Sequence, residues 1–163
     1  EQKASPEETY THPSELKTAS EALPFSTDGC IRLDEGFLNE EQLCLLFQFL
    51  PLDITFVDEH DRVRFYNKGE DRVFPRSPGI IGREVKYCHP PKSVDTVIEI
   101  LDAFKEGREN KAEFWLQFQE RFIFISYFAI RDKDNNYKGV LEVSQDVTGI
   151  RKLEGEQRLL TWS

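Results

Sequence analysis

Residues 53–68 read DITFVDEHDRVRFYNK, in which two runs of β-branched and aromatic residues flank a polar tetrapeptide. Short runs of this composition are typical of β-strands, and a polar tetrapeptide between two of them is typical of a tight turn. The segment therefore predicts a β-hairpin with strands Asp53 to Asp58 and Val63 to Lys68.

Strand-like runs recur nearer the C-terminus, where short polar connections separate three of them. Such short connections favour antiparallel pairing of neighbouring strands, so the pattern indicates a meander. The predicted strands are Ala112 to Phe118, Phe122 to Arg131 and Tyr137 to Thr148.

Three helices are predicted around these strands from apolar residues that recur every three or four positions. The first spans Gly36 to Leu50, with Asn39 as its N-cap. The second starts at the N-cap Ser93 and terminates at Gly107. The third spans Gly149 to Trp162, and its narrow apolar seam suits a coiled-coil contact.

The simplest packing of these elements is an α+β fold. It has a five-stranded antiparallel sheet with helices on one face and flanking N- and C-terminal helices. The stretch Gly69 to Pro91 is irregular because prolines and glycines interrupt it, and so long an excursion is often functional. Residues 1–27 are predicted to be a disordered polar linker, and residues 28–163 one domain.

Net charge and cysteine content indicate which partners and which cellular compartment to expect. The chain has 163 residues and a formal net charge of −9, the wrong sign for binding nucleic-acid phosphates or anionic lipid. Its 3 cysteines favour a reducing compartment over a disulfide framework. We therefore expect a cytoplasmic protein without nucleic-acid or membrane partners. Because it starts with Glu1 and lacks Met, we also expect a piece of a longer chain.

The order of these elements and the residues at their landmarks resemble the PAS fold, a sensor module of signalling proteins. The landmarks are DITFVD at 53–58, YN at 66–67, GR at 82–83 and GVLEVSQDVT at 139–148. The resemblance covers about residues 31–162. It implies a sensory or regulatory role in signal transduction.

A narrower resemblance is to the C-terminal PAS domain of a bacterial hemerythrin-associated family of unknown function. It rests on FPRS at 74–77, CHPPKSV at 88–94, FW at 114–115, YFAIR at 127–131 and LEGE at 153–156. In that family a hemerythrin-like domain often precedes the PAS domain. The resemblance therefore implies other domains of the parent protein, hemerythrin-like among them, as partners.

Sensor domains of this shape use a cavity between the sheet and the connecting helices. This chain has 13 Phe, and an aromatic cavity favours a small apolar or aromatic ligand. Simple filling of the core explains the same rings and stays open as the alternative. The predicted pocket residues are Phe56, Phe65, Tyr66, Phe74, His89, Val97, Leu101, Phe114, Leu116, Phe128, Glu142 and Gln145.

His89 follows Cys88 in a proline-bounded loop, about where haem-binding PAS domains place an iron ligand. Imidazole is a competent axial ligand, so haem is a candidate cofactor with His89 as its metal ligand. The alternative role of His89 is a hydrogen bond that braces the loop. A flavin is less favoured, because Glu84 follows Gly82 and Arg83 where the photoreceptor motif needs other residues.

The remaining polar side chains lie in less specific sequence patterns. His60 lies in a predicted turn without evident further metal ligands. Arg76 and Lys92 lie where they could bind a carboxylate or phosphate of a ligand. Phosphate loops, dinucleotide fingerprints and metalloprotease motifs are absent from the sequence, so we predict neither enzyme activity nor a dedicated metal site.

Two functions agree with these patterns. The first is a sensory module that binds a small molecule and relays its presence through the flanking helices. The second is a ligand-free dimerisation or scaffold module, in which the helices Gly36 to Leu50 and Gly149 to Trp162 bury their apolar stripes in a homodimer.

Overall fold

The computed structural model describes residues 27–69 and 72–159, which fall into two units divided after Asn39. The first unit holds a small antiparallel hairpin of β1 (Cys30–Arg32) and β2 (Phe37–Asn39). The predicted helix start at Gly36 is wrong, because residues 37–39 pair with β1 and the helix begins only at Glu40. The predicted linker, apart from Thr27, lies outside the described residues.

The second unit contains the predicted five-stranded antiparallel sheet and two α-helices. The strands lie in the order β4-β3-β7-β6-β5, and all four neighbouring pairs are antiparallel. The elements are α1 (Glu40–Phe49), β3 (Asp53–Asp58), β4 (Val63–Tyr66), α2 (Pro91–Lys105), β5 (Lys111–Phe118), β6 (Arg121–Arg131) and β7 (Tyr137–Asp146).

Alternation along β3 shows which face of the sheet is covered. Asp53, Thr55 and Val57 are buried, whereas the intervening Ile54 and Phe56 are only partly so. Since successive strand residues point to opposite faces, the first three lie on the inner face. There the apolar stripe of α2 packs over the sheet in one core cluster, which comprises Val57, Val63, Val85, Val97, Ile100, Leu101, Phe104 and Val140.

Helix α2 begins two residues before the predicted N-cap. Pro91 occupies the first helical turn, where a missing N–H costs nothing, and Ser93 lies within that turn. The predicted end is confirmed, because Gly107 has a φ of 73° and Arg108 N–H donates to Ala103 O at 2.9 Å.

The predicted C-terminal helix over residues 149–162 is not confirmed. Between Gly149 and residue 159 the described chain forms only one 3₁₀ turn, Ile150–Lys152, and residues 160–162 lie outside the described part. Ile150 and Leu153 of the predicted apolar seam are 54% and 76% exposed. A short helix without a buried face is only marginally stable. Neither described helix is long and apolar enough to cross a membrane.

Asn67, only 1% exposed, ties the end of α1 to the first hairpin of the sheet. Its Oδ1 accepts hydrogen bonds from Ile54 N–H at 2.7 Å and from Arg72 Nη1 at 2.8 Å. Its Nδ2 donates to the carbonyl oxygens of Phe47 at 3.0 Å and Leu52 at 2.7 Å. Both polar atoms of this buried amide are therefore hydrogen-bonded, each to two partners.

We expect Asn67→Ala to lower the free energy of unfolding by about 3 kcal/mol, because it leaves several buried partners unpaired. Urea denaturation measures this change. The control Gln117→Ala removes an exposed side chain of β5 and should change stability by less than about 0.5 kcal/mol. Equal effects of the two substitutions would contradict the role given to Asn67.

Gly139 sits where β7 passes closest to β3, with a φ of 138°. A Cβ at this position would overlap the carbonyl oxygen of Val57, which is backbone and cannot swing away. We therefore expect Gly139→Ala to lower the thermal unfolding midpoint strongly. Gly149→Ala is the matched control, since Gly149 has a φ of −67° and open space around it. A neutral Gly139→Ala would refute the close approach.

Candidate functional site

The chain between β4 and α2 supplies one wall of the candidate site. Its described part from Arg72 to Pro90, hereafter the connector, has no α-helix and only two 3₁₀ turns, Pro78–Ile80 and Val85–Tyr87. Arg62 holds it at one point, donating from Nη1 to Gly82 O at 2.9 Å and pairing with Glu84 at 3.0 Å. Val63 also exchanges backbone hydrogen bonds with Gly82 and Arg83, and Val85 lies in the core cluster, so the middle of the connector is tied to β4 and to the core.

A small cavity lies between the connector, α2 and the inner face of the sheet. Its volume of about 20 Å³ is room for about one water molecule. Most of its wall is aliphatic, and the rest is formed mainly by polar side chains. The lining residues are Thr55, Val57, Val63, Arg76, Ile80, Val85, Cys88, His89, Val97, Ile100, Leu101, Tyr127, Val140 and Glu142.

An ion pair forms the polar side of the cavity. Arg76 Nη2 of the connector lies 3.3 Å from Glu142 Oε2 of β7, and the two side chains are 15% and 10% exposed. Arg76 Nε is also buried but has no hydrogen-bond partner among the described residues. The pair links the connector to the centre of the sheet and leaves one N–H donor unused.

Polar side chains flank Glu142 on both neighbouring strands. It lies opposite Thr55 of β3 and opposite Tyr127 of β6, so three polar groups form a row across the inner face. Burial, followed by the negative charge of Glu142, raises the pKa of Tyr127 well above its ordinary value, and Arg76 offsets this in part. In the folded protein the Tyr127 hydroxyl therefore stays protonated at pH values where an exposed tyrosine ionises.

His89 lines the cavity with one ring nitrogen already engaged. His89 Nδ1 lies 3.0 Å from Val85 O, and because a carbonyl only accepts, Nδ1 carries the hydrogen. The neighbouring Cys88 Sγ donates to Glu84 O at 3.5 Å, and burial raises the pKa of its thiol. The histidine thus braces the connector, the alternative role weighed for it above.

Haem does not fit this site. A cofactor of that size needs a cleft of at least about 300 Å³, whereas this cavity measures about 20 Å³, so haem would require far more than the limited displacement of one wall that a small molecule needs. The described residues contain no group of three or more His, Cys, Asp and Glu side chains suited to a metal ion. We therefore derive no chemistry from an iron at His89.

Four predicted pocket residues line the cavity, namely His89, Val97, Leu101 and Glu142. The other eight lie elsewhere in the unit. Phe114 and Leu116 project from β5 on the inner side but are each 37% exposed, and the Phe74 ring packs against Phe118 at 5.4 Å. Tyr66 lies opposite Thr55 in the β3–β4 pair and does not line the cavity.

The remaining four predicted pocket residues lie on the outer face of the sheet. Phe56 pairs with Phe65 and with Leu141, and the Phe65 ring contacts Phe47 of α1 at 4.9 Å between centroids. The others, Phe128 and Gln145, share the parity of Leu141. Their large side chains favoured a position in the pocket. Because successive strand residues alternate between the two faces, and Asp53, Thr55 and Val57 occupy the inner face, these four residues lie on the outer face. The same parity is the signal that would have found Thr55 and Val140.

Comparison with known proteins agrees with this architecture. Residues 43–148 match the family described as "PAS domain", which is well over half of the chain. The chain belongs to the PAS domain family. No match was found among curated proteins.

Solved structures show the same fold. The C-terminal domain of a Streptococcus mutans protein is 34% identical, covers 79% of this chain and 100% of its own, and superposes with a TM-score of 0.73. The PAS domain of Bordetella pertussis BvgS is 18% identical, covers 69% of this chain and 91% of its own, and has a TM-score of 0.52. The second likeness concerns the fold alone.

The raised pKa of Tyr127 makes the stability of the fold depend on pH above about pH 10. A tyrosine whose pKa is raised by folding keeps its proton in the native state, while the unfolded chain loses it above about pH 10. Stability therefore falls as pH rises beyond that value, by at most about 1.4 kcal/mol per pH unit per tyrosine. Tyr137, whose pKa burial raises to about 12, contributes in the same direction.

We expect Tyr127→Phe to make the unfolding midpoint fall less steeply between about pH 10 and 11 than in the wild type. Urea denaturation at three pH values in this window provides the slopes. Tyr87→Phe, which changes a 65% exposed side chain, is the control and should leave the slope unchanged. Parallel slopes for wild type and Tyr127→Phe would contradict the burial of this hydroxyl.

Proposed function

We propose that this chain is a sensory module that binds a small molecule between the sheet, α2 and the connector. PAS domains are in general sensory modules and not enzymes. The observation that carries the proposal is the buried Arg76–Glu142 pair at 3.3 Å in a mostly aliphatic cavity. Polar groups placed in an apolar wall are what orient small ligands in binding sites.

The size of the cavity supplies the mechanism. Because about 20 Å³ holds only a water molecule, any larger ligand must displace one wall. The connector contributes Val85 to the core that α2 shares with the sheet, but its regular structure is limited to two 3₁₀ turns. Because such turns open more easily than a sheet or a long helix, the connector is the wall that yields. Ligand binding then shifts the population of connector conformations.

Strand β7 offers a route for the output. It carries Glu142 at the cavity and ends at Asp146, whose Oδ1 accepts a hydrogen bond from Thr148 N–H at 2.9 Å. Thr148 Oγ1 in turn accepts from Phe122 N–H at 2.7 Å. Strand β7 therefore carries a displacement of Glu142 as a rigid unit, with its ladder intact, to the turn that follows it. A hemerythrin-like neighbour remains a prediction from the narrower resemblance.

A second candidate function is a ligand-free dimerisation module. Leu45, Leu46 and Phe49 of α1 are 44%, 54% and 76% exposed, which leaves an apolar surface on that helix. In this alternative the cavity is simply part of the core, and no small molecule enters it.

Benzene is a suitable probe of the cavity, and methyl NMR reports where it binds. We expect saturable shifts of the Val97, Leu101 and Val140 methyl signals, with none at Leu159, which is 83% exposed. Val97→Phe should abolish the shifts because its ring fills the space. Val94→Phe makes the same change on α2 at a residue outside the lining and should retain binding.

Both variants must first show the wild-type circular dichroism spectrum. Should Val97→Phe fail to fold, Val97→Ile replaces it with a smaller increase in volume. An absence of shifts in the wild type, with benzene and with six-membered-ring compounds that carry a polar group, would overturn the sensory proposal and favour the dimerisation module. Shifts that persist unchanged in the folded Val97 variant would also overturn the sensory proposal.

A further inference from the structure

We propose that the cavity selects a neutral, mainly aliphatic molecule that carries a carbonyl oxygen, such as a small ketone, ester, amide or lactone. This inference rests on the proposed function and names the class of its ligand. It follows from three features of the lining: the balance of charge, the unused donor of Arg76 and the aliphatic character of the remaining wall.

The charges at the cavity are balanced without a ligand. Arg76 and Glu142 neutralise each other at 3.3 Å, and the nearby Arg72 has its own partner in Asp53 at 3.9 Å. An anionic ligand would place a second negative charge beside Glu142 in a buried environment, where like charges repel strongly. A cationic ligand would meet the same difficulty beside Arg76. The lining therefore disfavours either sign of charge.

One donor in this balanced site lacks an acceptor. Arg76 Nε is buried and has no hydrogen-bond partner in the described part of the chain. A carbonyl oxygen accepts this hydrogen bond without adding charge, and hydrogen bonds to charged donors are among the stronger ones. A water molecule can occupy the same position in the free protein, and the ligand oxygen would displace it.

The body of the ligand must match an aliphatic wall. Val57, Val97, Leu101 and Val140 are among the aliphatic residues of the lining, and their side chains offer no polar atom. Burial of a few methylene groups against them favours binding by the hydrophobic effect. A compact aliphatic body with one oxygen therefore satisfies both sides of the cavity.

Three probes built on a six-membered carbon ring test this inference by methyl NMR: cyclohexanone, cyclohexanecarboxylate and benzene. In the wild type we expect cyclohexanone to bind about 10-fold more tightly than either of the others. Glu142→Gln removes the negative charge and leaves Arg76 unbalanced, so cyclohexanecarboxylate should gain about 10-fold in affinity. The double variant R76M/E142L should retain benzene binding and lose the preference for cyclohexanone.

The outcomes separate the ligand class from the proposed function. Carboxylate binding as tight as ketone binding in the wild type would overturn the choice of a neutral ligand. Equal affinity for cyclohexanone and benzene would overturn the role of Arg76 Nε and leave the sensory proposal standing. Failure of all three probes would overturn both. If R76M/E142L fails to fold, the affinity of Glu142→Gln for cyclohexanecarboxylate tests the inference instead.

Discussion

Two buried arginine–carboxylate pairs tie the connector to the sheet, and the geometry of the cavity depends on them. Asp53 and Glu142 point inward from β3 and β7, where burial of an unpaired carboxylate is very costly. Arg72 and Arg76, four residues apart in the connector, lie 3.9 Å and 3.3 Å from these two carboxylates. The polar inner face thus dictates where an otherwise irregular segment must lie.

The two pairs differ in how completely their surroundings satisfy them. Arg72 donates to the backbone oxygen of Asn67 at 2.6 Å and to its side chain at 2.8 Å, while Asp53 Oδ2 accepts from Val73 N–H at 2.7 Å. Among the described residues, Arg76 pairs with Glu142, and its Nε has no hydrogen-bond partner there. The first pair therefore anchors the connector structurally, whereas the second lines the cavity and has capacity left for a ligand.

Local sequence predicted the strands well because their polar turns and alternating patterns are local properties. Asp53 to Asp58 was predicted with its observed limits, and the meander within a few residues. The helix after Gly149 was predicted from apolar spacing alone, and that spacing has no partner to bury it in the described chain. The cavity could not be predicted from local sequence. Its ion pair joins Arg76 and Glu142, which are 66 residues apart and meet only in the folded protein.

Hydrogen exchange of the chain with and without saturating cyclohexanone tests most directly whether the connector yields to a ligand. Each 3₁₀ turn of the connector is closed by two backbone hydrogen bonds, among them Ile80 N–H to Ser77 O at 3.1 Å and Cys88 N–H to Val85 O at 2.9 Å. We predict that exchange of these two amides changes on binding while the amides of the β6–β7 ladder keep their rates. Bound cyclohexanone with unchanged connector exchange would contradict this account.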